Sequence, residues 1–142
     1  MKTKIFIYIL LNFFCVTAMA DPDVKSLTDM PDVKLSHFSK KTLFIFFQAN
    51  CHACTLQIND LKCLEKDFDV TLLGSISPVK DLKKEYKKYK TKYPAYYADP
   101  ITMVHMPIDI AATPQIIVWN KIKPKGYLGY KPCETYKKIL VK

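Results

Sequence analysis

The 142-residue chain is long enough for one domain with a sizeable apolar core. All 22 of its basic residues are lysines, set against 13 acidic ones, for a formal charge of +9. Only three glycines are present, which excludes a glycine-rich phosphate cradle, and no serine or carboxylate arrangement suggests a hydrolase.

The first twenty residues have the form of an export signal. Lys2 and Lys4 form a charged start, Ile5 to Val16 is mostly apolar, and Ala18-Met19-Ala20 has the small-x-small form of a cleavage site. The rival is an uncleaved membrane anchor, but the run is shorter than the roughly 20 apolar residues a spanning helix needs. Cleavage after Ala20 removes Cys15 and lowers the formal charge by two. For an exported protein the basic balance suits acidic protein partners, an anionic membrane surface or simply a lysine-coated exterior, and not nucleic acid.

Residues 21–34 are polar, with two prolines, and read as a linker ahead of a single domain spanning 35–142. Leu35 and Phe38 are expected to tuck under that domain. Thr42 to Gln48 is a strand apolar on both faces, as a central strand covered on both sides would be. From His52 the period changes. Leu56, Leu61, Leu64 and Phe68 fall on one broad helical stripe, with Ile58 at its border, and Asp67 to Asp69 closes the helix. Val70 to Ser75 reads as a second strand.

Pro78 can open the next helix. Leu82, Tyr86, Tyr89 and Tyr93 make its inward face, and Lys83, Lys84, Lys87, Lys88 and Lys90 occupy much of the remainder. That basic face is either a docking surface or the solvated side of an amphipathic helix. Pro94 ends it. Tyr96 to Pro100 is a short extended piece, and Ile101 to Ala112 shows no clear period. Gln115 to Trp119 and Gly126 to Tyr130 are close enough to pair as an antiparallel hairpin, and Pro132 starts a last helix, Cys133 to Val141. The order strand, helix, strand, helix, hairpin, helix asks for an α/β fold with a mixed central sheet and helices on both faces.

The chemistry lies in Cys51-His52-Ala53-Cys54, where the first long strand gives way to helix. A thiol there sits at the positive end of the helix dipole, among unpaired N–H groups that favour the thiolate. Thiolates are the nucleophiles of disulfide exchange, and Cys-X-X-Cys spacing lowers the thiol pKa. The other two cysteines, Cys63 and Cys133, either form a second disulfide or remain separate thiols.

With Ala112-Thr113-Pro114-Gln115 ahead of the hairpin, the chain resembles the thioredoxin superfamily. The closer likeness is to its exported TlpA/ResA-like branch. That likeness is carried by Leu35 to Phe44, by the sixty residues from Cys54 to Pro114 and by Tyr93 to Pro100. The resemblance implies an exported thiol–disulfide oxidoreductase working through Cys51 and Cys54, with partner disulfides as substrate and a reductase direction. It implies a cis bond at Pro114, with Thr113 and Pro114 contacting a substrate chain. Protein thiols and disulfides, with an upstream electron donor or acceptor, are the implied partners. No cofactor is needed, because the dithiol itself carries two electrons. His52 either stabilises the Cys51 thiolate when protonated or is a solvent-facing spacer. Asn50 and Gln48 stand where many relatives carry tryptophan, and Gln57 where cytochrome-maturation members often have an acidic residue.

Two alternatives remain. A branch associated with conjugation systems has similar architecture and would act as isomerase or oxidase. A copper chaperone could use Cys51, Cys54 and His105 with Met103 and Met106, whose sulfur and imidazole suit that metal, though the cysteine spacing is narrower than in thioredoxin-like copper chaperones.

Overall fold

A computed structural model describes residues 21–106, 108–120 and 124–141. The expected signal segment, including Lys2, Lys4 and Cys15, lies outside the described residues, as do residues 121–123.

Seven strands form one sheet in the order β2-β1-β5-β4-β3-β6-β7. They are β1 (Asp23–Ser26), β2 (Val33–Lys34), β3 (Thr42–Phe47), β4 (Asp69–Gly74), β5 (Ala95–Tyr97), β6 (Gln115–Val118) and β7 (Lys125–Leu128). β3, β4 and β5 run parallel, while β6 lies antiparallel to β3 and β7 antiparallel to β6. All six residues of β3 are buried, as its unbroken apolar run requires of a strand covered on both faces.

Residues alternate across that strand into two cores. Leu43, Ile45 and Phe47 face one side with Leu72 and Ile116. The helices on that side are α1 (His52–Asn59), α2 (Val79–Tyr86) and α4 (Cys133–Leu140), which contribute Ile58, Leu82 and Tyr136. Phe44 and Phe46 face the other side with Leu73, Ile117 and Trp119. There α3 (Pro100–His105) and a 3-10 turn at Leu35–His37 cover the sheet, and Leu35, Phe38 and Met106 are buried. The mixed sheet with helices on both faces is therefore as expected. No helix among the described residues is long and apolar enough to cross a membrane.

Four expectations need correction. Residues 21–34 are not a bare linker. β1 pairs antiparallel with β5 and β2, Val24 is wholly buried, and Leu27 N–H donates to Ala95 O at 2.8 Å. The single helix expected from His52 to Phe68 stops at Asn59, and Lys62–Leu64 is a separate 3-10 turn. With it the buried stripe changes: Cys54, Gln57 and Ile58 point inward, while Leu56 is exposed. The helix that opens after Pro78 ends at Tyr86, so Tyr93 lies beyond it; its hydroxyl donates to Glu65 Oε1. Finally, the aperiodic stretch after Pro100 begins with α3, because Asp99 caps it by accepting from Thr102 N–H at 2.7 Å and proline suits its first turn.

Candidate active site

β3 delivers its C-terminal end to a sharp elbow, Gln48 to Asn50, before α1 begins. Asn50 adopts φ +58°, a left-handed conformation that asparagine tolerates better than most residues. The N–H groups of this elbow are held from the side. Ala49 donates to Ser77 Oγ at 3.0 Å, and Asn50 donates to Glu85 Oε2 at 3.2 Å.

Cys51 is the N-cap of α1. Its sulfur accepts from the Cys54 N–H at 3.1 Å, the position of a capping oxygen in other helices. Cys51 and Cys54 are joined in a disulfide with their Cα atoms 5.2 Å apart. The two sulfurs are not equivalent. Cys51 keeps 8% of its surface exposed, whereas Cys54 has none. A partner approaching from solvent therefore meets Cys51 first. His52 follows on the first turn and is exposed.

The opposing wall comes from 62 residues downstream. The Thr113–Pro114 peptide bond is cis, and Thr113 Oγ1 lies 3.6 Å from Cys51 Sγ, within donor reach. Neighbouring groups hold this loop in place. Gln115 Nε2 donates to Asp109 O at 3.1 Å, and Gly129 N–H donates to Pro114 O at 2.9 Å. Gly129 needs its lack of a Cβ, since its φ is +77°.

The remaining cysteines do pair: Cys63 and Cys133 form a disulfide across a sequence separation of 70. Two further contacts fasten the same joint. Asp60 Oδ2 accepts from Cys133 N–H at 3.0 Å, and the buried Gln57 accepts from Lys131 N–H at 3.0 Å. Gln57 is thus a bridge between α1 and the approach to α4.

The ligand set considered for copper is dispersed. Met106 is buried in the core on the far face of the sheet, with Met103 packed against it, while Cys51 and Cys54 belong to the near face. His105 is exposed, with Nδ1 3.0 Å from Ile101 O on its own helix. Among the described residues no cluster of three or more His, Cys, Asp or Glu is placed to hold a metal ion.

Glu85 was missed in sequence. It lies three residues after Leu82 and four before Tyr89, on the inward stripe of α2 and the turn that follows, and it is buried. A charged residue on an apolar stripe is the signal that could have found it.

No protein-family model matches the sequence, and neither does any curated protein. Solved structures do match in shape. A secreted Mycobacterium tuberculosis disulfide oxidoreductase homologous to E. coli DsbE superposes with a TM-score of 0.61 at 9% identity, over 84% of this chain and 91% of that one. A thiol:disulfide interchange protein of the thioredoxin family from Chlorobium tepidum gives 0.64 at 17%, over 84% and 90%. StoA from Bacillus subtilis gives 0.59 at 16%, over 84% and 95%. This chain has a thioredoxin-like fold. In that thioredoxin-like frame the Cys51–Cys54 pair stands where β3 meets α1, facing the cis-proline loop.

Proposed function

We propose that the protein is an exported thiol–disulfide oxidoreductase that reduces partner disulfides through Cys51 and Cys54. The observation that carries this reading is the geometry of one sulfur. Cys51 Sγ, at the N-terminus of α1, is the more exposed of the pair and is approached by the Cys54 N–H and the Thr113 hydroxyl. Both donors favour a negative sulfur, as does the helix dipole.

Starting from the dithiol, the Cys51 thiolate attacks one sulfur of the partner's disulfide. A mixed disulfide forms and the other partner sulfur leaves as a thiolate, which takes up a proton. Cys54, once deprotonated, attacks Cys51 Sγ and releases the second partner sulfur. The partner has gained two electrons and two protons, and the Cys51–Cys54 disulfide remains. Thr113 and Pro114 flank the partner's chain during the attack. His52, exposed beside Cys51, is a candidate modulator of the thiolate. A supply of electrons must then restore the dithiol.

The likeness to a thiol:disulfide interchange protein supports exchange chemistry, the resemblance to the TlpA/ResA-like branch supports the reductase direction, and the signal-like first twenty residues support export. The test is turnover of a model protein disulfide. Cys51→Ser abolishes it, and Cys54→Ser accumulates a mixed disulfide with the partner. Unchanged turnover in Cys51→Ser removes the reading. Direction is decided by the reduction potential together with the redox state of the thiols trapped in cells. A mostly oxidised pair with a high potential reverses it, and an uncleaved N-terminus on the mature protein overturns cleavage.

A further inference from the structure

We propose that Glu85 and Lys88 form a charge pair that sets the dithiol–disulfide equilibrium of Cys51 and Cys54, with Glu85 opposing the Cys51 thiolate and Lys88 moderating it. The proposal rests on the oxidoreductase reading above.

Burying a carboxylate costs several kcal/mol unless it is well partnered. Glu85 is only 4% exposed, and its Oε2 has two partners. One is the Asn50 N–H at 3.2 Å; the other is Lys88 Nζ at 2.8 Å. The first bond needs an acceptor at that place but not a charge, since a glutamine oxygen would serve equally. The negative charge therefore has an effect apart from the hydrogen bond. It stands against the peptide one residue before the exposed sulfur, in a protein interior where charges act more strongly than in water.

The surrounding groups sharpen the point. On the sulfur's own helix, the dipole and the Cys54 N–H draw Cys51 toward the thiolate, and Thr113 donates from across the site. His52 is exposed to solvent. Behind the elbow, the uncharged Ser77 holds Ala49. Tyr89, just beyond α2, is buried; burial first and Glu85 second hold its hydroxyl in the neutral form. Glu85 and Lys88 are thus the charges tied to the elbow itself. Lys88 remains half in water, so it offsets Glu85 only in part.

The equilibrium in question is protein disulfide plus two reduced glutathiones against protein dithiol plus oxidised glutathione. A negative charge near Cys51 disfavours its thiolate and so favours the disulfide side. Glu85→Gln keeps an acceptor for Asn50 and removes the charge. Lys88→Gln leaves the carboxylate uncompensated. The two substitutions are therefore expected to move the protein in opposite directions.

The experiment equilibrates purified protein in glutathione buffers and counts the alkylated Cys51–Cys54 peptide by mass spectrometry. A parallel titration follows the thiolate by its ultraviolet absorbance. Glu85→Gln should shift the equilibrium constant toward dithiol by about threefold or more and lower the Cys51 pKa. Lys88→Gln should shift both the other way. Shifts of the same sign in the two variants, or none in either, overturn the proposal. If Glu85→Gln fails to fold, Lys88→Gln decides alone, because half of that side chain is already in solvent. Glutathione replaces the protein partner here, so failure of the functional reading (no turnover of a partner disulfide) and failure of this one (no opposite shifts in the equilibrium) are read in separate measurements.

Discussion

The hydroxyl of Thr113 and the sulfur of Cys51 stand 3.6 Å apart, brought together across 62 residues of chain. A hydrogen bond to a charged group contributes about 1.5–3 kcal/mol when well made. This one is long, so about 1 kcal/mol is the reasonable expectation, or roughly a fivefold change in equilibrium. Thr113→Val should raise the Cys51 thiol pKa and slow its alkylation near neutral pH by that factor. The pH profile of alkylation distinguishes this from a shape effect, which would lower the plateau without moving the midpoint.

The Cys63–Cys133 disulfide closes a loop of 70 residues. Chain-entropy reasoning assigns such a link about 4 kcal/mol. The double substitution Cys63→Ser, Cys133→Ser should lower urea stability by up to that amount. Turnover at low temperature should be largely kept, since the link touches neither Cys51 nor Thr113. Loss of turnover in a variant that remains folded would contradict a structural role.

Val24 sits in the segment that reads as linker, yet none of it is exposed. Val24→Ala should cost about 2 kcal/mol, as expected of a buried aliphatic cut back in a packed core. Met30→Ala, at a side chain 49% exposed in the same segment, should cost almost nothing. Equal effects would mean that β1 is not part of the cooperative unit.

Burial pushes the Tyr136 hydroxyl up to about 12 from its ordinary value of 10. Burial also raises Tyr86, Tyr89, Tyr93 and Tyr96, with Glu85 adding to the effect at Tyr89 and Glu65 at Tyr93. Below pH 10 these phenols are neutral in the folded and the unfolded chain alike, so they impose no pH dependence. Between pH 10 and 12 the unfolded chain sheds protons that the folded chain retains, and stability falls. The urea midpoint should drop steadily over that range, less steeply in Tyr136→Phe. A flat profile would contradict the burial of these hydroxyls.

What the sequence makes legible is chemistry carried over short distances. Cys51-X-X-Cys54 at a strand-to-helix junction and Thr113-Pro114 before a hairpin each announce themselves locally, and the fold brings them together as expected. Strands apolar on both faces, such as β3, are equally plain. Less legible is whatever depends on a partner far along the chain. β1 has few apolar positions and exists because β5 offers it an edge. Leu61 and Leu64 are buried as the expected stripe has them, but Leu56 lies on the exposed face of α1, where Cys54, Gln57 and Ile58 turn inward instead. The Cys63–Cys133 bond depends on how α4 docks, which no spacing rule supplies. Glu85 is the instructive miss: its importance comes from Asn50, 35 residues earlier, and from the burial of both its neighbours on the stripe, Leu82 and Tyr89.

Asp60, Gln57 and the Cys63–Cys133 bond all fasten α1 and the turn after it to the region around α4, and Tyr136 of α4 donates to Gly129 at 2.8 Å. Gly129 in turn holds Pro114. The helix that carries the dithiol and the loop that faces it thus belong to one braced frame, closed by covalent and hydrogen bonds away from the reacting sulfurs. Opening and closing of the Cys51–Cys54 bond can proceed without a hinge. Such bracing would let a partner meet much the same contour whether the Cys51–Cys54 bond is open or closed.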